Sequence, residues 1–589
     1  MTAATGKLII GLDFGTTFSG ASWLYLDNGL PVRPAGVEPI IVSRWPSGSQ
    51  GYRHCPKTPS KIYYDEETDQ PICGYEIPNN VEPLQWFKLL LLDHEHLPDH
   101  LKISTQIKAA RRIMENIGKS IVQITGDYLR YVWDHVMREI RLQEIRLQEP
   151  GYAGEETQIS VFITVPTTWE SYACERLKEA AEVAGITGNH HAGTISLEVV
   201  SEQDSALRAV LPDAANMMNL GVGESFILVD AGGATVDVAS YQVDSLQPLV
   251  VAKRVEGDGA LCGEVLLDEA FDIFVRQHIG SNLWNNVPID TKKRWLENHW
   301  ENIKSTFDGV HIGTSKGPWK FETPPGCKGR ILNLRVDTIG VVFEQVFAKI
   351  HGLIEDQITA IRRETQEVPK FVVLSGGFSR SPYMRNYLNT AIRGDTAAIN
   401  SSGYRPWSAI CRGAVLTGGA LIGVLPERVR VDIRIMRRSY GWEYSSYFIE
   451  GIHRDEDRFW DASQQCDLAK NQIQWGVNKG EYMPARQPKS YQLTKCYTES
   501  QLLYETISHT IYGYDESPLP FQVDQSVRLA GTLMCQAEAF HRAWVAVPDH
   551  PEGGYHILNY EITFQGSGAD LEISLISNGA LMVKGVVPM

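Results

Sequence analysis

The residues best suited to chemistry in this 589-residue chain lie in two short stretches that share one pattern. The first is Asp13-Phe14-Gly15-Thr16-Thr17, after the apolar run Leu8 to Leu12 and before a second strand-like run, Ala21 to Leu26, which Asn28-Gly29 closes with a turn signal. Glycine lets a backbone bend close to an anion, N–H groups at such a bend point inward, and threonine hydroxyls add donors. Asp13, at the strand end, is placed to hold a hydrated Mg²⁺ facing phosphates. The second stretch is Asp230-Ala231-Gly232-Gly233-Ala234-Thr235, between Phe226–Val229 and the run Val236 to Val243. A single tight hairpin carries Asp, Gly and Thr for many reasons. Two of them, each at the start of one half, imply an internally duplicated fold in which a phosphate chain is gripped from both sides of a cleft.

A third stretch, Phe371-Val-Val-Leu-Ser-Gly376-Gly377-Phe-Ser-Arg380-Ser-Pro382, joins a buried strand to a glycine pair and a helical pattern from Tyr383 to Ile392. There the backbone can approach a flat ligand. Taken in order, the three segments resemble the phosphate 1, phosphate 2 and adenosine motifs of the actin-like ATPase superfamily, and their wording is closest to the heat shock protein 70 family. The resemblance covers about residues 7 to 423. It implies a duplicated actin-like ATPase (ribonuclease H-like) domain of two lobes, about 7–221 and 222–423, with ATP and Mg²⁺ as ligands.

By that resemblance Asp13 and Asp230 hold hydrated Mg²⁺, and Gly15, Thr16, Thr17, Gly232, Gly233 and Thr235 contact phosphates. Gly376, Gly377 and Arg380 receive the adenosine. Lys88, in Leu84-Gln-Trp-Phe-Lys88-Leu-Leu-Leu-Leu92, is the best local match to the family's cleft lysine; its other reading is a lysine snorkelling off an apolar helix. Glu202 falls where the family places a carboxylate near the attacking water, although Ser201 and Gln203 replace its usual neighbours, and a plain glutamate at a helix start remains the alternative. Asp237 would support the water. Glu301 and Lys304 align with the family's adenosine-clamping helix, against the alternative of solvated charge on an amphipathic helix. Gly257 to Glu264 resembles a glycine-rich turn at the base of the second lobe.

The elements that must position these residues follow from periodicity. Residues 30 to 83 are rich in Pro, Gly and Tyr and suggest irregular strands and loops in a small accessory lobe. Residues 103 to 149 have Ile107, Ala110, Ile113, Ile117 and Ile121 at helical spacing, ending in a doubled Ile-Arg-Leu-Gln-Glu unit to which no function is assigned. Gln158 to Val165 reads as a buried strand, Glu175 to Ala184 as a helix, and 314 to 329 as a surface connection. From Arg428 onward Val429, Val431, Ile433 and Ile435 alternate with charged residues, and short strands follow at 472–480, 501–507, 555–564 and 571–577. This predicts a small C-terminal β-sandwich over 428–589, where the family carries its peptide-binding domain.

Bulk properties bound the function. At 43% hydrophobic and 21% charged the chain is an ordinary globular protein, and its net charge of −16 disfavours nucleic acid as a general partner. Nine scattered cysteines with no Cys-x-x-Cys pair fit a reducing compartment, the cytoplasm with the nucleus open. The start lacks a secretory leader pattern, and the longest apolar stretch, Ala414 to Leu425, is too short and glycine-rich to span a membrane.

Three departures from the family stand out. No helical lid follows, since the chain stops at Met589 just after a strand. Gly423 to Glu427 lacks the family's leucine-rich linker, and Ala234 replaces a phosphate 2 glycine. The pattern is most like the divergent lid-less branch typified by heat shock 70 kDa protein 12. The expectation is an ATP-binding, weakly hydrolysing chaperone-like switch that also contacts unfolded or apolar polypeptide. A nucleotide-binding scaffold without turnover, and a small-molecule kinase of the same superfamily, are the alternatives.

Overall fold

The computed structural model describes residues 6–588 apart from 28–29, 32–37, 49–50, 148–156, 168, 188, 191–192, 215–216, 312–318, 325–326, 328–330, 463, 486, 499–505, 537–543, 548–554 and 568–569. The fold is mixed α/β with several mixed sheets. It divides into two compact units, Met1–Val251 with Gly257–Arg430, and Ala252–Glu256 with Val431–Met589. The Asn28-Gly29 turn and the last residues of the doubled pentapeptide lie outside the described residues.

In the first unit, Gly6–Asp13 runs antiparallel to Phe18–Asp27 and parallel to Thr157–Val165, which is parallel in turn to Gly193–Ser201. Leu8, Ile10 and Leu12 enter one core while Ile9, on the alternate face, joins Phe162, Ala414 and Val415 in another. A strand buried on both faces reads as a continuous apolar run, which is why Leu8 to Leu12 shows no alternation. The same arrangement occurs a second time: Ser225–Ala231 is antiparallel to Val236–Leu246 and parallel to Phe371–Ser375, with Ala397–Asn400 beyond. Both turns therefore sit where a hairpin strand meets a parallel neighbour.

Several sequence expectations change in detail. The helical stretch from 103 is broken into Thr105–Ile117 and Ile121–Leu147 by Gly118, which caps the first helix with φ 72°. The supposed surface connection contains the strand Trp319–Glu322, paired with Ile331–Leu334. Within the segment read as an accessory lobe, Lys57–Pro59 pairs with Phe18–Gly20 of the first hairpin. Lys88 lies not on an extended apolar helix but on the short 3-10 turn Phe87–Leu91, every residue of which is buried.

In the second unit, two five-stranded sheets share one apolar core. Trp442, Ile511 and Leu533 come from one sheet, Tyr560, Ile562, Phe564 and Ile573 from the other, and the Trp442 and Phe564 rings lie 5.8 Å apart. His509 crosses this core to Tyr560 at 2.8 Å, and burial lowers its pKa to about 3, so the link is made by a neutral imidazole. Strands expected at 472–480, 555–564 and 571–577 appear as Cys466–Val477, Tyr555–Ser567 and Asp570–Ser577. That expected at 501–507 is described only from Thr506, where Thr506–Tyr514 begins.

Candidate functional site

The two hairpin turns meet. A Cβ added to Gly233 would lie 2.0 Å from Thr17 Oγ1 and 2.8 Å from its Cβ, so the turns touch through a glycine and a threonine with no room for more. Each turn is also latched from behind. Ser60 donates its hydroxyl to Gly15 O at 2.6 Å and its N–H to Thr17 O at 2.8 Å. The carbonyls of Gly232, Gly233 and Ala234 accept N–H groups from Glu264, Val265 and Gly263 at 3.2, 2.9 and 3.0 Å, at the start of helix Glu264–Ile279. With these carbonyls engaged, the turn amides remain as polar groups for an anion.

Six charged side chains gather behind the turns. Asp13 closes its strand in full burial and accepts the Lys57 ammonium on Oδ2. Burial alone would lower the Lys57 pKa, but Asp13, aided by Asp230 and the Cys411 thiol, outweighs it and raises it. Lys88, 3% exposed, reaches Glu202 Oε1 at 2.5 Å from a box that includes the Phe14 and Trp169 rings. Glu202 begins helix Glu202–Ala214, and burial raises its pKa against the pull of Lys88. Asp230 lies opposite Asp237 in register, and Thr235 donates its hydroxyl to Asp237 at 3.3 Å.

Asp230 is the most perturbed member. Burial, then Asp237, and further on Glu202 and Asp13, push its pKa up to about 7 against the pull of Lys57. Its Oδ1 is buried with no hydrogen-bond partner among the described residues. A carboxyl raised in the fold is most stable when protonated. Its contribution is therefore whole below the ordinary carboxylate range and disappears as pH rises through about 7. Melting of ligand-free protein in chelator should show this as stability falling through neutrality, and Asp230→Asn should flatten the fall. Equal slopes for the two proteins would contradict the assignment.

The other expected residues form separate groups. Lys304 ion-pairs with Asp268 and Glu301 at 2.8 Å and with Glu264 at 3.1 Å, and Trp300 Nε1 donates to Asp268 at 2.7 Å. Burial would lower the Lys304 pKa, but the three carboxylates raise it well above normal, so its charge is balanced within its own helices. Burial raises Glu301. Gly376, at φ +85°, admits no Cβ because Ala231 O would be 2.2 Å away. Gly377 lies against Trp407, and exposed Arg380 stacks its guanidinium on Tyr404 and Trp407 at 4.8 and 5.1 Å. No described contact joins Arg380 or Lys304 to the carboxylate cluster.

Sequence reasoning missed Lys57 and Ser60. Lys57-Thr58-Pro59-Ser60 has no motif of its own, and only its pairing with the first hairpin brings it to Asp13.

No family model matches the chain. Among curated proteins it is 22% identical to human heat shock 70 kDa protein 12B over 82% of this chain and 79% of the relative. It is 20% identical to mouse heat shock 70 kDa protein 12A over 90% and 85%. A partial match, 23% identical over 50% of this chain and 44% of the relative, is to chaperone protein DnaK of Thermoplasma volcanium. The first two alignments run through both compact units, whereas the third spans half the chain.

Proposed function

We propose that this chain, a divergent relative of the heat shock protein 70 family of the heat shock 70 kDa protein 12 kind, is an ATP-binding, weakly hydrolysing, chaperone-like switch. The observation that carries the reading is the contact of Gly233 with Thr17 beside the carboxylate and lysine cluster. On this reading the repeated hairpin and parallel-strand arrangement is a duplicated actin-like domain whose lobes close on nucleotide. The two sheets of the second unit are a β-sandwich.

Phosphoryl transfer to water asks the protein for position and charge more than for covalent chemistry. Gly15, Thr16, Thr17, Gly232, Gly233 and Thr235 would hold the phosphates, and the glycine pair with Arg380 would receive the adenine nucleoside. Lys88 and Glu202 would orient water, with Asp237 in support. The donor set suits Mg²⁺: hard carboxylate oxygens at Asp13 and Asp230, one of them an orphaned buried atom. Among the described residues no three His, Cys, Asp or Glu side chains form a metal cage. The ion that fits is therefore a hydrated one held by one or two carboxylates and the phosphates. When bound it would neutralise charge on the transferred phosphoryl group.

Tyr447, Ile452, Trp460 and Phe521 stand exposed on the second unit and support apolar polypeptide as its partner. The described cysteines are free thiols, which supports a reducing compartment. No described helix is long and apolar enough to cross a membrane.

A second reading, a nucleotide-binding scaffold without turnover, is favoured by one observation: Lys57 already engages Asp13. Phosphate release from Mg-ATP separates the two. Slow release that an unfolded apolar polypeptide accelerates and Asp13→Ala abolishes is the expected result. Release no greater than that of the variant would leave the scaffold.

A further inference from the structure

We propose that Lys57 is a resident cation of the phosphate cleft, taking over part of the charge balance that a divalent metal supplies when a polyphosphate enters. The inference rests on the nucleotide-binding reading above and adds to it a residue which that reading does not need.

Three observations carry it. The lysine is built in: it lies 7% exposed on the strand Lys57–Pro59, opposite Gly20, and its stem crosses that glycine so closely that a Cβ there would be 2.8 Å from Lys57 Cγ. Lysine is seldom buried so fully unless paired. Its position is also tied to the phosphate turn, because Ser60, three residues on, holds the backbone of Gly15 and Thr17. A shift of the turn on ligand binding must move the lysine with it.

The third observation is the charge of the cluster. Asp13, Glu202, Asp230 and Asp237 face only two ammonium groups, and Lys88 is engaged by Glu202. An incoming polyphosphate adds negative charge to a site already rich in it. Lys57, paired with the carboxylate next to the first turn, is the cation placed to offset that addition. A buried pair kept for stability alone would be a weak device, since apolar residues of similar volume serve as well.

The test measures equilibrium affinity for a fluorescent ATP analogue, in Mg²⁺ and in EDTA, for the full-length wild type, Lys57→Met and Lys57→Arg. One charge-assisted contact to phosphate corresponds to about 10–100-fold in affinity. Chelation should therefore weaken the wild type by less than about tenfold, and Lys57→Met by a further factor of about 10–100. Lys57→Arg should keep the wild-type ratio. The wild-type arm needs no variant to fold: affinity lost by more than about 100-fold on chelation overturns the proposal. So does an equal metal dependence in folded Lys57→Met. Failure of the wild type to bind in Mg²⁺ as well would overturn the nucleotide reading itself, and Lys57's role with it.

Discussion

Lys88→Met should lower the stability of the first unit by about 3–5 kcal/mol, because it leaves the Glu202 carboxylate enclosed without its partner. The lysine is 3% exposed, so water cannot replace it at Glu202 without opening the box formed with Phe14 and Trp169. The cost arises from stranding a charge rather than from losing a favourable pair. The double variant Lys88→Met/Glu202→Met should therefore recover most of the loss while failing to hydrolyse ATP. Thermal melting reads the stability and phosphate release the activity. A double variant no more stable than the single would show that the pair is worth its full strength. Hydrolysis by the double variant would remove both residues from the chemistry.

Gly233→Ala should weaken nucleotide binding by about 100-fold with the strands around it intact, since a misplacement near 1 Å in a positioned site has about that effect. The added methyl meets Thr17 Oγ1 at 2.0 Å and Cβ at 2.8 Å, and Thr17 is β-branched with little rotamer freedom to yield. The turns must separate. Because Gly233 O also accepts the N–H of Val265, the second turn cannot retreat without breaking its latch to helix Glu264–Ile279. The first turn is held in the same way by Ser60. Binding titrations alongside circular dichroism check this. Unchanged affinity in a folded variant would mean that the ligand does not lie between the turns.

Much of this was legible in the chain because the relevant signals are local. Asp13, Asp230 and Ser375 end buried strands whose apolar runs announce them, and the glycines beside them mark turns. The alternation from Val429 to Ile435 announced a strand for the same reason. What stayed hidden depends on pairing between distant segments. Lys57 reaches Asp13 across 44 residues through a three-residue strand too short for any periodicity to show. Lys88 sits in a run of leucines that reads as an apolar helix, and the short 3-10 turn that aims it inward starts from Trp86 at φ 65°. Glu301 and Lys304 illustrate the converse. Their spacing identified a charged helix face correctly, but two further carboxylates, Glu264 and Asp268, come from another helix to hold the lysine.

The central claim, that one phosphate chain is held by both turns at once, is tested most directly by hydrogen exchange of the segments 14–18 and 231–236 with and without Mg-ATP. The account expects exchange in both segments to slow together on adding nucleotide, and in neither for Gly233→Ala. Protection of one segment alone, or of neither while nucleotide is bound elsewhere, would contradict it.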